Sequence, residues 1–248
     1  MLPFNSSFLR KIKEIFLHLL FPNMCYACRR DLPIAKQEPL CALCLQKVQT
    51  VGLLYCKRCG KPLPDGGAHC YQCRGSKARQ FKCKIIRSAV VFGPQVRALV
   101  HAFKYADQSF LADFLAGIMH KHWADYSELA EAELLLPVPL HPQKAKARGY
   151  NQSALLAVAL AEKLGVAVDL QALSRLRNTP SQTKLGREER LKNMSGAFEC
   201  VKPEIVKGKT VLLIDDVATT GATLEGCAEA LKKAGAKKVM AYTLARET

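Results

Sequence analysis

No stretch of eighteen or more uncharged apolar residues occurs in the 248-residue sequence, which excludes a membrane-spanning helix. The opening segment MLPFNSSFLRKIKEIFLHLLFP has charges inside its short apolar run and no small-x-small site after it, so it makes a poor secretory signal. Acidic side chains are few, 21 against 37 lysines and arginines. The net charge of +16 favours phosphates, nucleic acid or an anionic lipid surface as partners and says nothing about fold. No Gly-Lys-Ser/Thr loop and no spaced-glycine fingerprint are present, so neither a P-loop nucleotide site nor a hydride-cofactor site is expected. No residue stands out as a general base. His101, His120, His122 and His141 do not share ligand spacing and are expected on the surface or in loops.

What is present is unevenly spread. With 49% apolar and 23% charged residues the chain can bury a core, and its length suits one or two domains. Residues 1–83 carry a net charge of +10, and residues 84–248 only +6. Nine of the eleven cysteines lie in residues 25–83, leaving Cys200 and Cys227 beyond. An extracellular disulfide scaffold would be shorter and would need a leader, so a cytoplasmic protein with reduced thiols is expected.

Four Cys-x-x-Cys pairs, Cys25/Cys28, Cys41/Cys44, Cys56/Cys59 and Cys70/Cys73, punctuate a segment rich in Gly, Pro, Lys and Arg that cannot build an ordinary core. Each pair can form a knuckle aiming two sulfurs at one ion, and two knuckles complete a tetrahedral S₄ site suited to Zn²⁺. A redox dithiol would appear once, beside a βαβ pattern. Two structural zinc sites are expected, each supplying on the order of 10 kcal/mol of folding free energy in place of the missing core. Consecutive pairing closes shorter loops than cross-braced, RING-like pairing and is preferred. Gly60, directly after Cys59, suits a thiolate turn that needs positive φ. Cys83 has no partner at knuckle spacing and is expected to be a buried or linker thiol. Two Zn(Cys)₄ centres lower the charge of the module to about +6. Tyr26, Tyr55 and Tyr71 each adjoin a cysteine. Cations with exposed rings suit single-stranded nucleic acid, whereas the same tyrosines can instead cover the metal sites.

Three segments follow: residues 1–21, an amphipathic helix expected to dock on its own protein, the alternative being a membrane-surface or partner-binding helix; residues 22–83, the zinc module; and residues 84–248, an α/β domain. In the last, strands are expected at Ile85–Phe92, Leu134–Leu140, Val166–Leu170, Val211–Ile214 and Val239–Leu244. Helices are expected from Pro94 through Phe103, over Leu111–Met119, over Gln152–Leu164, and over Thr223–Ala234 with Gly235 as its cap. Lys104 and Tyr105 close the first helix at what reads as a solvated end. Residues 174–195 read as a long polar loop or arm, in which Arg187 to Lys192 form a plain charged face. Strands alternating with helices imply a mainly parallel sheet flanked by helices.

The segment VLLIDDVATTGAT (211–223) carries the chemistry. An apolar strand ends in Asp215 and Asp216, and Val217, Ala218, Thr219, Thr220, Gly221, Ala222 and Thr223 lead into a helix. Such a turn aims backbone N–H groups and the hydroxyls of Thr219, Thr220 and Thr223 at one spot, where a helix N-terminus favours an anion. The two carboxylates cannot hold phosphate themselves. They can hold sugar hydroxyls beside it, directly or through Mg²⁺. The implied ligand is a ribose 5-phosphate.

At these residues the chain resembles the type I phosphoribosyltransferases, whose motif is a strand, an acidic pair and then T-T-G-x-T. The resemblance implies a phosphoribosyltransferase-like fold that binds phosphoribosyl diphosphate (PRPP) with Mg²⁺. It also implies that Lys144, Lys146 and Arg148 of PVPLHPQKAKARGYNQS (137–153) meet the diphosphate. That segment, HAFKY (101–105), TPSQTKLGREERLKNMSGAF (179–198) and the paired knuckles are together similar to the competence protein ComF family. This similarity implies a role in DNA uptake for natural transformation, near the inner membrane, with single-stranded DNA and a helicase-like ATPase as partners. It also implies an arm that closes over the ligand, with Arg190 foremost. The alternatives are an active phosphoribosyltransferase of nucleotide salvage, and a non-enzymatic adaptor that docks the ATPase.

Overall fold

The computed structural model describes residues 16, 18, 22–34, 38–74, 81–105, 108–177 and 193–248. The expected N-terminal helix lies outside these residues except at Phe16 and His18, both helical, and His18 Nε2 sits 3.0 Å from the Asp31 carboxylate. Arg190 and most of the expected arm also lie outside them.

Five strands form one parallel sheet in the order β1-β7-β6-β2-β3: β1 (Ile86–Val91), β2 (Leu134–Pro137), β3 (Ala167–Val168), β6 (Thr210–Ala218) and β7 (Lys238–Arg246). Both faces are covered, which is why the central strands read as unbroken apolar runs. Alternate residues of β6 serve different cores. Leu212 and Ile214 pack with the helices α2 (Pro94–Tyr105), α3 (Leu111–Lys121) and α5 (Gln152–Leu164), while Val211 and Leu213 pack with α7 (Ala222–Lys233). The helical periodicity held: Val96, Leu99, Val100 and Phe103 are all buried, as are Leu111, Leu115 and Met119.

Four features depart from the sequence reading. Strand β6 does not stop at Ile214 but runs through both acids to Ala218, because β7 continues beside it, pairing Asp215 with Thr243 and Ala218 with Arg246. A second, two-stranded antiparallel sheet joins β4 (Leu173–Arg175) to β5 (Phe198–Cys200), so the stretch read as polar arm begins as a strand. Strand β2 ends at Pro137 rather than at Leu140, and the residues beyond it form a helix, α4 (Pro142–Arg148). Ala234 caps α7, and Gly235, one residue later, holds φ 90.

The zinc module is docked on the sheet. Strand β1 is an edge whose unpaired backbone would otherwise face solvent. Val91 N–H donates to Gln49 O at 2.8 Å, and Ile86 N–H to Arg58 O at 2.7 Å. Arg87, 3% exposed, donates to Glu128 at 2.7 Å and to Lys57 O at 2.9 Å, with its guanidinium 4.9 Å from the Tyr55 ring centre. Among the described residues no helix is long and apolar enough to cross a membrane.

Candidate phosphate site and zinc centres

The eight cysteines gather consecutively, Cys25, Cys28, Cys41 and Cys44 in one group and Cys56, Cys59, Cys70 and Cys73 in the other, with the sulfurs of each group within 4.8 Å of one another. A tetrahedron of thiolates about 2.3 Å from Zn²⁺ has S···S edges of about 3.8 Å. Cys28–Cys41 and Cys59–Cys70 are both 3.7 Å apart, so the donor sets fit the ion. The knuckles are built alike. Arg29 N–H donates to Cys25 O and Gly60 N–H to Cys56 O, both at 2.9 Å, and both residues have positive φ, 61 and 67. Gly60 thus has the conformation expected of it. It also has no room for a side chain, since a Cβ there would lie 2.6 Å from Ile86 O. Cys83 is buried outside both groups. Two of the three tyrosines are engaged: Tyr26 donates to Gln108 at 2.8 Å, and Tyr55 meets Tyr126 edge-on. Tyr71 is 91% exposed and keeps a free face.

The turn after β6 is shaped from behind. Arg246, 2% exposed, donates from Nη1 to Ala218 O at 2.6 Å and to Thr219 O, and Glu247 N–H donates to Ala218 O at 3.0 Å. These bonds turn the carbonyls of the loop toward the end of β7. Gly221, at φ 80, then reverses the chain into α7. Among the described residues the N–H groups of Thr219, Thr220, Gly221 and Thr223 find no acceptor. Four free donors at the positive end of a helix make an anion cradle. Thr220 Oγ1 accepts the Ala222 N–H at 3.3 Å, so that hydroxyl braces the turn instead of standing free beside Thr219 and Thr223.

The acids beside the cradle are unlike each other. Asp216, 3% exposed, meets the Lys104 ammonium at 2.7 Å as an ion pair. Asp215 Oδ1 accepts from Ser153 Oγ at 2.7 Å and from Asp216 N–H at 2.9 Å. Burial, followed by the neighbouring Asp216 charge, pushes the Asp215 carboxyl up to about 7. Lys104 therefore does not end in solvent as its helix-end position suggested; the family likeness of HAFKY was the available signal.

Residues 148–153 place this geometry. Gly149, at φ 84, ends α4, and the Tyr150 hydroxyl donates to Phe103 O. Asn151 caps α5 by accepting the Ser153 N–H and donates to Val138 O, both at 3.1 Å. Arg148 donates to Gln152. Ser153 is thereby fixed under Asp215. On α4, Lys144 and Arg148 share a face at i, i+4 spacing, while Lys146 is turned to solvent two residues out of phase. Arg175, which the sequence did not single out, joins them through the β4–β5 pairing. Burial, then the Arg175 and Arg148 charges, lowers the Lys144 ammonium from its ordinary range. Burial likewise lowers Arg175, with Cys227 and Asp215 pulling the other way. Lys144 thus lies within electrostatic reach of Arg148 and of Arg175, and Arg175 within reach of Asp215. All this sits at the C-terminal ends of the adjacent strands β2 and β6, where open α/β sheets bind ligands.

Comparison with known proteins finds two family models in the chain. Residues 151–248 match the phosphoribosyl transferase domain and residues 16–74 the double zinc ribbon domain. The chain is 32% identical over 232 residues to the DNA utilization protein YhgH of Salmonella typhimurium, covering 92% of this chain and 99% of that protein. It is 30% identical over 230 residues to competence protein F of Haemophilus influenzae, covering 91% and 98%. To competence protein ComFC of Bacillus subtilis it is 29% identical over 218 residues, covering 84% and 85%. The likeness runs through ribbon and sheet alike, and on that ground the chain belongs to the ComF family of competence and DNA-utilization proteins.

Proposed function

We propose that this protein binds PRPP, or another phosphoribosyl ligand, at residues 215–223 and single-stranded DNA through its zinc module, and that it acts in the uptake or use of imported DNA. The names of the relatives support the DNA role. The observation that carries the ligand is the cradle: four backbone donors find no acceptor among the described residues, while Arg246 engages the carbonyls of Ala218 and Thr219. The 5-phosphate would sit there, the ribose hydroxyls against Asp215 and Asp216, and the diphosphate toward Lys144, Arg148 and Arg175. Arg190 would act from the arm, and Lys146 has no part in this grouping.

Mg²⁺ fits this site only as an ion brought by the ligand. Lys104 already neutralises Asp216, and one oxygen of Asp215 accepts two hydrogen bonds, so the acidic pair is poorly placed to hold a divalent cation. Diphosphate oxygens and water would hold it, as they commonly hold Mg²⁺. It would supply charge neutralisation on the diphosphate.

PRPP with Mg²⁺ should raise the melting temperature, and Asp216→Ala should remove that response. No shift in the unsubstituted protein would contradict the ligand. Transfer to a base is a separate property, read as diphosphate release from PRPP across a panel of bases. Direct DNA binding should weaken steeply as salt rises. Affinity that is weak and insensitive to salt would favour an adaptor docked on a helicase-like ATPase. The basic module suits a cytoplasmic location on the inner face of the membrane.

A further inference from the structure

From the contacts behind the cradle we infer that the second zinc ribbon is part of the phosphate site: zinc bound by Cys56, Cys59, Cys70 and Cys73 positions the 219–223 turn through Ile86. This rests on the phosphate reading of that turn. Ile86 is held on two sides. Its backbone belongs to the knuckle, donating its N–H to Arg58 O at 2.7 Å and leaving no space between its carbonyl and Gly60. Its side chain belongs to the turn, since a Cβ on Gly221 would fall 2.9 Å from Ile86 Cδ1. A cavity of about 20 Å³, roomy enough for about one water, is lined jointly by the zinc ligands Cys59 and Cys73, by Ile86, and by Thr220, Gly221 and Glu225. Glu225, in the first turn of α7, adds a second strut by accepting the N–H groups of Lys82 and of Cys83, the latter at 3.1 Å.

The backbone of residues 57–60 has its shape because four thiolates converge on one ion. Without the metal those thiolates repel or protonate, the knuckle opens, and Ile86 loses its backbone anchor. Close-packed contacts transmit such a shift rather than absorb it. The turn would then lose the wall that aligns its free N–H groups. Among the described residues the first tetrad has no such connection. Its Cys25 and Cys44 pack in the core that holds α2 and α3, on the other side of the sheet from α7. Ile86 and Glu225 are positioning residues: neither reaches into the cradle, and each acts through the turn.

Coupling is reciprocal, so a ligand that needs an ordered turn must also hold the second zinc more firmly. The test follows zinc release from the full-length, two-zinc protein to a chromogenic chelator, with and without PRPP and Mg²⁺. The two phases are assigned with a Cys25→Ser/Cys28→Ser variant that retains the second site. PRPP should slow release from the second site at least about five-fold and leave the first unchanged. Ile86→Val removes only Cδ1. It should keep both zinc ions, bind PRPP at least about three-fold more weakly, and lose the protection. Equal slowing at both sites, or no slowing together with normal PRPP binding by Ile86→Val, overturns the inference. A melting shift with PRPP in the unsubstituted protein checks the underlying reading separately. Its absence defeats the phosphate site, whereas its presence without zinc protection defeats only the coupling.

Discussion

Cys25 and Cys44 of the first tetrad belong to the same buried cluster as Leu99, Phe103 and Leu115, with Leu32 and Leu40 beside them. Cys56, Cys59, Cys70 and Cys73 form a cluster of their own, against which Leu63 alone packs among the described residues. The first ribbon therefore has apolar burial as well as metal to order it. The second has metal, a set of polar contacts to β1 and the ring contact of Tyr55 with Tyr126. The same ligand set does two jobs: in one ribbon it trims a core, and in the other it replaces one.

The largest expected difference comes from removing each metal. Cys56→Ser/Cys59→Ser should cost the second ribbon on the order of 10 kcal/mol of local stability and abolish exchange protection through residues 55–73. Cys28→Ser/Cys41→Ser should leave partial protection near Leu32 and Leu40. Equal loss of protection in the two ribbons would erase the distinction. Arg87→Ala loosens the second ribbon from the sheet without touching a cysteine. It breaks a part-buried ion pair with Glu128 and a bond to Lys57 O, and should lower unfolding free energy by about 2–3 kcal/mol in urea titrations. The matching cut at the first ribbon is Tyr26→Phe, which removes one half-buried hydrogen bond to Gln108 and should cost only about 1 kcal/mol.

Between those two effects lies one from the turn that the second ribbon supports. The Asp215 carboxyl is raised above its unfolded value, to about 7. The folded state therefore binds more protons, and stability should fall as pH rises from about 4 to 7, the full penalty being present above that range. Asp215→Asn keeps the bonds from Ser153 and Asp216 N–H while removing the charge. It should stabilise the unliganded protein by about 2 kcal/mol at pH 8, half of the about 4 kcal/mol that a rise from about 4 to 7 carries because Asp215 is only partly buried, have little effect at pH 4, and flatten the profile between. An unchanged profile would mean that Asp215 is ionised throughout.

The sequence made the two metal sites and most of the sheet legible because their signals are local. Knuckle spacing names its own ligands, and the apolar spacing from Val96 to Phe103 names its own helix face. What escaped depended on partners distant in the chain. Two adjacent acids read as the end of a strand, because a buried strand rarely carries charge. Lys104 and Ser153, supplied by two helices, are what permit β6 to continue through them. Arg175 had no local mark, since its place is set by pairing with Phe198. Lys146 entered with Lys144 and Arg148 through the same family resemblance, which gives no helix phase, and helix geometry turns it away from the other two.

The central claim is that the bend between β6 and α7 grips a sugar phosphate. A crystal structure with PRPP and Mg²⁺ tests it most directly. It should show phosphate oxygens within hydrogen-bond distance of the N–H groups of Thr219 to Thr223 and the ribose hydroxyls against Asp215 and Asp216. Ligand bound elsewhere, or those N–H groups closed off by side chains, would contradict it.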